Sequence, residues 1–154
     1  MSVEPMARPL FPVVAAALVD GEGRVLLQQR PAGKTLAGLW EFPGGKLEPG
    51  ESAEEALVRE LHEELAITVD LAALEPAGFA TEILPDRHLL LLLYVIRRWS
   101  GEPVALEADG LVWRMPEAMD ALPMPPADGP LVRQLRAYLG ERTTSVGPAA
   151  NGTE

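Results

Sequence analysis

Apolar residues fall into short runs along this chain, and turn residues separate the runs. Residues 11–19 form an apolar run that the polar turn 20–23 closes, and residues 24–29 again have strand character. This order predicts a buried β-hairpin. A short strand is predicted over residues 39–42, ending at the turn Pro43-Gly44-Gly45.

The most apolar segment lies in the second half of the chain. Residues 88–97 contain a run of leucines followed by Tyr94, Val95 and Ile96, which predicts a fully buried central strand despite the helix preference of leucine. A last strand is predicted over residues 111–114, whereas residues 68–82 have mixed character. A membrane-spanning helix needs about twenty apolar residues, so none is expected.

Two segments have helical spacing. Residues 51–65 are good helix formers that follow Pro49-Gly50, and residues 131–139 carry leucines four apart. Beyond them the chain is small and polar without periodicity. We therefore predict a single domain over residues 1–140 and a disordered tail over residues 141–154.

Composition narrows the possible classes of protein. A chain of 154 residues that is 47% apolar can bury one substantial core, and the absence of cysteine excludes a disulfide scaffold or a thiolate zinc site. The net charge of −10 argues against binding to polymeric nucleic acid. Near the apolar segment 9–19 the one positive charge is Arg8, unlike a secretory signal, so the cytoplasm is the expected compartment.

The acidic charge is concentrated in one predicted helix. Residues 45–67 contain seven glutamates against Lys46 and Arg59, a net −5 that is half of the chain's excess. Glu60, Glu63 and Glu64 share one stripe, where each like-charged pair costs about 0.2 to 0.5 kcal/mol. They also face the negative end of the helix dipole. A solvated acidic face is the simpler interpretation, but convergence beside a Gly-Gly turn favours a site for Mg²⁺ or Mn²⁺.

The same segment resembles the signature motif of a known family. Gly45, Glu51, the run Arg59-Glu60-Leu61-His62-Glu63-Glu64 and Ile67 stand at the spacing of the Nudix box of the Nudix hydrolases. The resemblance implies an α/β fold, an α/β/α sandwich with a mixed β-sheet between helices. It also implies metal-dependent cleavage of a nucleoside diphosphate linked to another group.

Roles for individual residues follow from this resemblance. It implies metal ligation by Glu60, Glu63, Glu64 and the carbonyl of Gly44, and bracing of the loop and helix by Arg59 and Glu51. It also makes Glu60 a candidate general base. Ala66 departs from the motif, which has glycine there, and a positive φ at this position would cost up to about 1 kcal/mol.

A wider resemblance, over residues 11–139, points to the branch of the family that hydrolyses 8-oxo-dGTP. It implies a further carboxylate near the metals from Glu107. It also implies a base pocket formed by Arg30, Phe42, Asp86, Arg87 and the loop 125–128 with Asp128. Each pocket residue has a structural alternative: a core aromatic for Phe42, strand ends for the arginines and a turn for Asp128. Asp128 stands where that branch has asparagine, and a carboxylate accepts hydrogen bonds without donating them.

The resemblance implies a reaction and a partner. Two or three Mg²⁺ ions, or Mn²⁺, would clamp a small nucleoside triphosphate while water attacks phosphorus, with the family pointing to the β-phosphorus. Nucleoside monophosphate and pyrophosphate would be released, which sanitises the nucleotide pool and prevents mutation. We expect a monomer with no membrane or polymeric nucleic acid partner.

Other substrates, namely ADP-ribose, a diadenosine polyphosphate or a cytosine triphosphate, remain alternatives. A catalytically silent nucleotide sensor is a further alternative, which the three retained glutamates disfavour.

Overall fold

The structure is a computed structural model that describes residues 8–151, with side chains described for residues 8–140. The elements in this part of the chain are β1 (Leu10–Leu18), β2 (Val25–Gln29), β3 (Trp40–Glu41), β4 (Gly44–Lys46), α1 (Ala53–Leu65), β5 (Glu75–Ile83), β6 (His88–Ile96), β7 (Gly110–Arg114) and α2 (Asp128–Asn151), together with short 3₁₀ helices at Leu71–Ala73 and Pro116–Ala121.

The strands form two sheets between the two helices. The larger sheet has the order β4-β1-β6-β5, and it is mixed because β1 and β6 run parallel whereas the outer pairs are antiparallel. The smaller sheet, β3-β2-β7, is antiparallel. Helix α1 contributes to the core on one face and α2 to the core on the other. The predicted α/β/α arrangement is therefore confirmed.

The two cores explain the apolar runs of β1 and β6. Along β1, Ala15 and Ala17 belong to the core that contains α2, whereas Val14 and Ala16 belong to the core that contains α1. A strand covered on both faces has no polar side, so it is apolar throughout rather than alternating. The central position predicted for residues 88–97 is correct, since β6 lies between β1 and β5.

The predicted hairpin is wrong. Strands β1 and β2 enter different sheets and share one isolated bridge, Val19 with Val25. The predicted turn after residue 42 also contains a strand, since β4 begins at Gly44 and pairs with β1. An apolar run indicates that a strand is buried on both faces, but it does not indicate which strands pair with it. For this reason the sequence pattern assigned β2 as the partner of β1, whereas β1 pairs with β4 and β6.

Strand β5 lies in the segment whose character was mixed. Its register shifts between Pro76 and Gly78, and Phe79 and Ile83 remain exposed. The bulge and the exposed apolar residues break the alternation that marks a strand in the sequence.

Helix α1 matches its prediction because its ends are encoded locally. Ser52 caps the N-terminus through a reciprocal pair of hydrogen bonds with Glu55. Helix α2 begins at Asp128, ahead of the predicted residue 131. The structure continues α2 as a helix over residues 141–151 of the segment predicted to be a disordered tail, and residues 152–154 lie outside the described residues. Across the described residues, no helix is long and apolar enough to cross a membrane.

Helix α1 ends at Ala66, which adopts the left-handed conformation with φ 60° and ψ 30°. Its amide donates to the carbonyl of His62. This is the position where the family motif has glycine, and the Cβ of alanine is strained in this region.

We predict that Ala66→Gly stabilises the protein by about 1 kcal/mol because it removes this strain. Ala137→Gly is the matched control: it makes the same substitution at an exposed position inside α2. That change should destabilise the protein by about 1 kcal/mol. Urea unfolding measures both, and a loss of stability in the Ala66 variant would contradict the assignment of strain.

Candidate active site

Two adjacent glycines bring β4 against helix α1. Gly44 has φ +153°, and a Cβ there would collide with the carbonyl oxygen of Val14. A Cβ on Gly45 would lie 2.5 Å from the carboxyl carbon of Glu60. Only hydrogen atoms fit at these two positions, so the Gly-Gly pair allows the backbone to approach the acidic stripe closely.

Glu64 is the buried member of the acidic stripe, with 8% of its surface exposed. Its Oε1 accepts a hydrogen bond from Nε2 of Gln28 at 3.0 Å, and its Oε2 accepts one from the amide of Gly44 at 3.1 Å. Burial, together with the negative charges of Glu60 and Glu107, raises the pKa of Glu64 to about 8 against the lowering effect of these two donors. A carboxylate so placed would be stabilised by a cation.

Arg59 lies on the other side of the stripe and contacts two of its acids. Its guanidinium makes a bidentate contact with Glu51, Nε to Oε2 at 2.6 Å and Nη2 to Oε1 at 2.9 Å. These hydrogen bonds hold the pKa of Glu51 down to about 2. The guanidinium also donates to the carbonyl of Lys46 and, through Nη1, to Glu60 at 3.0 Å and Glu63 at 3.2 Å. Arg59 thereby ties α1 to the chain that follows β4.

The loop between β6 and β7 carries Glu107 to the same place. The amide of Leu106 donates to the carbonyl of Glu64 at 3.1 Å, and the amide of Val104 donates to that of Leu65 at 3.0 Å. These carbonyls belong to the last turn of α1 and have no partner within the helix. The loop therefore caps α1 and holds Glu107 close enough to raise the pKa of both Glu60 and Glu64.

The glutamates predicted as metal ligands differ in their exposure and in their contacts. Glu107 acts electrostatically on both Glu60 and Glu64, whereas Glu63 acts on Glu60. Glu63 is half-exposed, and Arg59 donates hydrogen bonds to both Glu60 and Glu63. Among the described residues, no three acidic or histidine side chains already lie close enough to hold a metal ion. The donor set nevertheless consists of carboxylate oxygens with excess negative charge, the chemistry that suits Mg²⁺ or Mn²⁺.

A cavity of about 410 Å³ opens beside these acids. Its size is within the usual range for a site that holds a small molecule. Sequence reasoning found Arg30, Glu64 and Glu107 on its walls but missed the other lining residues, which are Gln28, Gln29, Pro31, Lys34, Glu41 and Ala108. Several of these are single polar residues on or beside short strands, where no motif distinguishes them from surface positions.

A second pair of acids lies near Arg30. Nη1 of Arg30 donates to Glu41 at 3.1 Å, and burial raises the pKa of Glu41 despite this partner. Asp128 is buried at the start of α2 and accepts a hydrogen bond from the amide of Phe42. Burial raises the pKa of Asp128 to about 7, with the negative charge of Glu41 adding to the effect.

The remaining predicted pocket residues lie elsewhere. Phe42 is 5% exposed and packs in the core that contains α2. It is therefore a core aromatic, which the sequence analysis gave as the alternative to a base-pocket residue. Arg87 places its guanidinium 4.1 Å from the centre of the Phe11 ring, and Asp86 is 80% exposed. None of the three lines the cavity, and Asp128 does not line it either. A role for them in base recognition stays a prediction.

Comparison with known proteins gives consistent matches. The NUDIX domain family matches residues 9–135. The chain is 40% identical over 129 residues to a CTP pyrophosphohydrolase of Escherichia coli K12, covering 84% of this chain and 94% of the relative. It is 35% identical over 125 residues to an 8-oxo-dGTP diphosphatase of the same organism, covering 80% and 95%.

Solved structures agree with these relatives. The solution structure of the Escherichia coli ORF135 protein has a TM-score of 0.76 at 36% identity, covering 96% of each chain. A MutT NUDIX hydrolase from Burkholderia pseudomallei has a TM-score of 0.73 at 28% identity, covering 82% of this chain and 98% of that one.

We predict that Gly45→Ala lowers kcat/KM for hydrolysis of a nucleoside triphosphate by about 100-fold, because the new methyl group must displace the carboxyl group of Glu60. Gly21→Ala is the control, since a Cβ there meets nothing within 4 Å. Steady-state kinetics with thermal unfolding on both variants checks this. Full activity in a folded Gly45→Ala variant would show that the close approach is not needed.

Proposed function

Since this chain belongs to the NUDIX domain family, we propose that it hydrolyses 8-oxo-dGTP, or a closely related nucleoside triphosphate, to the monophosphate and pyrophosphate. This activity would sanitise the nucleotide pool. One observation carries the proposal: a single cavity meets the acids Glu64 and Glu107 on one side and the Arg30 and Glu41 pair on the other. Acids that can hold a metal ion suit the phosphate chain of a nucleotide, and a pair of hydrogen-bonding side chains suits its base.

Nudix hydrolases use a divalent metal ion, typically Mg²⁺. The carboxylates of Glu60, Glu63, Glu64 and Glu107 and the carbonyl of Gly44 are the groups that would hold it here. When bound, the metal lowers the pKa of water and neutralises charge on the phosphates. Because the protein itself is strongly acidic, this charge is needed to bring a triphosphate to the site.

The chain's own groups have defined tasks in the hydrolysis. A water oxygen bonds to phosphorus, the bridging P–O bond breaks, and the leaving phosphate keeps the electron pair of that bond. Glu60 accepts the proton of the water, and burial raises the pKa of Glu60, which makes it a better base. Arg59 keeps Glu60 and Glu51 in place. No serine, cysteine or histidine nucleophile is required.

Base recognition is assigned to Asp128 with Glu41 and Arg30. An ionised Asp128 can accept hydrogen bonds from N1–H and the amino group of a guanine base. A neutral Asp128 can instead donate to the ring nitrogen of cytosine while accepting from its amino group. A cytosine nucleotide is a candidate substrate for two reasons. The pKa of Asp128 is raised to about 7, and a relative at 40% identity is a CTP pyrophosphohydrolase.

We expect Glu60→Gln to fold normally and to lose turnover by about 10² to 10⁴-fold, since the proton acceptor is removed. The assay follows pyrophosphate release from 8-oxo-dGTP, dGTP, dCTP and ADP-ribose with Mg²⁺ and with EDTA. Glu117→Gln, at an exposed position remote from the cavity, is the matched control and should keep full activity. The proposal fails if EDTA leaves turnover unchanged, or if ADP-ribose is preferred over every triphosphate.

The protonation of Asp128 predicts a change of base preference with pH. A carboxyl group with a pKa of about 7 is mostly neutral one unit lower and mostly ionised one unit higher. The ratio of kcat/KM for dCTP to that for 8-oxo-dGTP should therefore rise severalfold from about pH 8 to about pH 6. Both substrates carry the same triphosphate, so its titration cancels in the ratio. The ratio should be flat in Asp128→Asn, and an equal slope in that variant would rule out Asp128 as the titrating group.

A further inference from the structure

Gln28 is a buried polar side chain on a strand that is otherwise apolar. It is 4% exposed, directly after the buried residues Val25, Leu26 and Leu27 of β2. Across the described residues, the other buried polar or charged side chains are Glu64 and Asp128. Glu64 and Gln28 both line the cavity, whereas Asp128 does not.

The two ends of the Gln28 amide have different surroundings. Its Nε2 donates to Oε1 of Glu64 at 3.0 Å. Its Oε1 is buried and has no hydrogen-bond partner within the part of the chain that is described. A buried carbonyl without a partner is unfavourable, and native structures rarely keep one unless a ligand or water satisfies it. The unpaired acceptor therefore marks a place for a hydrogen-bond donor in the cavity.

Gln28 and Gly44 together hold both oxygens of Glu64. Each is a neutral donor, so the carboxylate is oriented without being neutralised. A lysine or arginine in place of Gln28 would fix Glu64 equally well but would repel a cation. The only arginine of α1, Arg59, is bonded to Glu51, Glu60 and Glu63 rather than to Glu64. In the described part of the chain, no positively charged side chain therefore pairs with Glu64 when it is ionised.

We propose that Gln28 is a positioning residue that couples Glu64 to the ligand of the cavity. Its amide nitrogen fixes the carboxylate for a divalent cation, and its carbonyl oxygen accepts a hydrogen bond from a donor that enters with the cation, as water, or with the nucleotide. The inference rests on the proposed function, because it takes Glu64 as a metal ligand. Residues that orient metal ligands in this way commonly affect affinity by about 10 to 100-fold.

The direct test is Mn²⁺ binding by the full chain without nucleotide, read from the electron paramagnetic resonance signal of free Mn²⁺. Gln28→Met keeps the length and apolar bulk of the side chain but removes the hydrogen bond to Glu64 and the carbonyl acceptor. We expect the Kd for Mn²⁺ to rise about tenfold. Gln28→Asn keeps an amide that is too short to reach Glu64, and it should weaken Mn²⁺ binding similarly. An unchanged Kd in a folded variant overturns the proposal.

A second arm identifies the source of the donor. KM for the nucleoside triphosphate is measured with Mn²⁺ at saturating concentration for each protein. A KM equal to that of the unaltered protein, together with weakened Mn²⁺ binding, supports water on the cation as the donor. A raised KM together with weakened Mn²⁺ binding supports a donor on the nucleotide. A raised KM with unchanged Mn²⁺ binding contradicts the positioning of Glu64.

Gln134→Met is the matched control. The amide of Gln134 also makes two hydrogen bonds, to the backbone of Phe79, but it lies on α2 away from the cavity. This variant should unfold at a lower temperature while keeping its affinity for Mn²⁺. A tenfold loss of affinity in Gln134→Met would show that reduced stability alone explains the result and would overturn the proposal.

The Glu64→Gln variant distinguishes a failure of the proposed role of Gln28 from a failure of Glu64 as a metal ligand. If Glu64→Gln and the unaltered protein bind Mn²⁺ equally, the assignment of Glu64 as a ligand fails, and with it this part of the proposed function. If Glu64→Gln loses Mn²⁺ binding while Gln28→Met keeps it, the role of Gln28 alone fails and the proposed function stands.

Discussion

The burial of one carboxylate, that of Glu64, is the constraint on which the rest of the site depends. Burial and, after it, the charges of Glu60 and Glu107 make its ionised form unfavourable, which raises its pKa. Two neutral donors, the amide of Gly44 and the side chain of Gln28, keep it in place without cancelling its charge. A bound cation would stabilise this carboxylate. The rest of the fold must be stable enough to tolerate the repulsion between the neighbouring carboxylates.

The scaffold supplies that stability through packing next to the acids. Leu57, Leu61 and Leu65 lie on the buried side of α1, fully inaccessible to solvent, against β1 and β6. The same helix therefore carries the core on one side and the acidic stripe on the other. The loop that carries Glu107 bonds to the last carbonyls of α1, so the end of the helix and the far carboxylate are held as one unit.

The two ends of the cavity use acidity in different ways. At the α1 end, carboxylates are crowded so that a metal ion can offset them. Near Arg30, Glu41 has a cationic partner while Asp128 is buried, and the pKa of each is raised. Burial and, after it, the negative charge of Glu41 make the neutral form of Asp128 more populated near physiological pH than that of an ordinary aspartate. In the proposed function, recognition of the phosphates and recognition of the base would therefore depend on two separate groups of acids.

The sequence by itself determined the elements whose signals are local. The helix α1, the stripe shared by Glu60, Glu63 and Glu64 and the strand β6 each depend on residues a few positions apart. The sequence predicted a helix and a strand at these places correctly, although β6 is buried in part rather than fully. The ligand roles of the glutamates came from the family motif and stay proposals. Only the tertiary structure decided that β1 and β2 lie in different sheets and that Gln28 and Glu41 meet the cavity. The reason is physical: which strands become neighbours, and which polar side chain faces a buried carboxylate, depends on packing between distant segments that no local periodicity records.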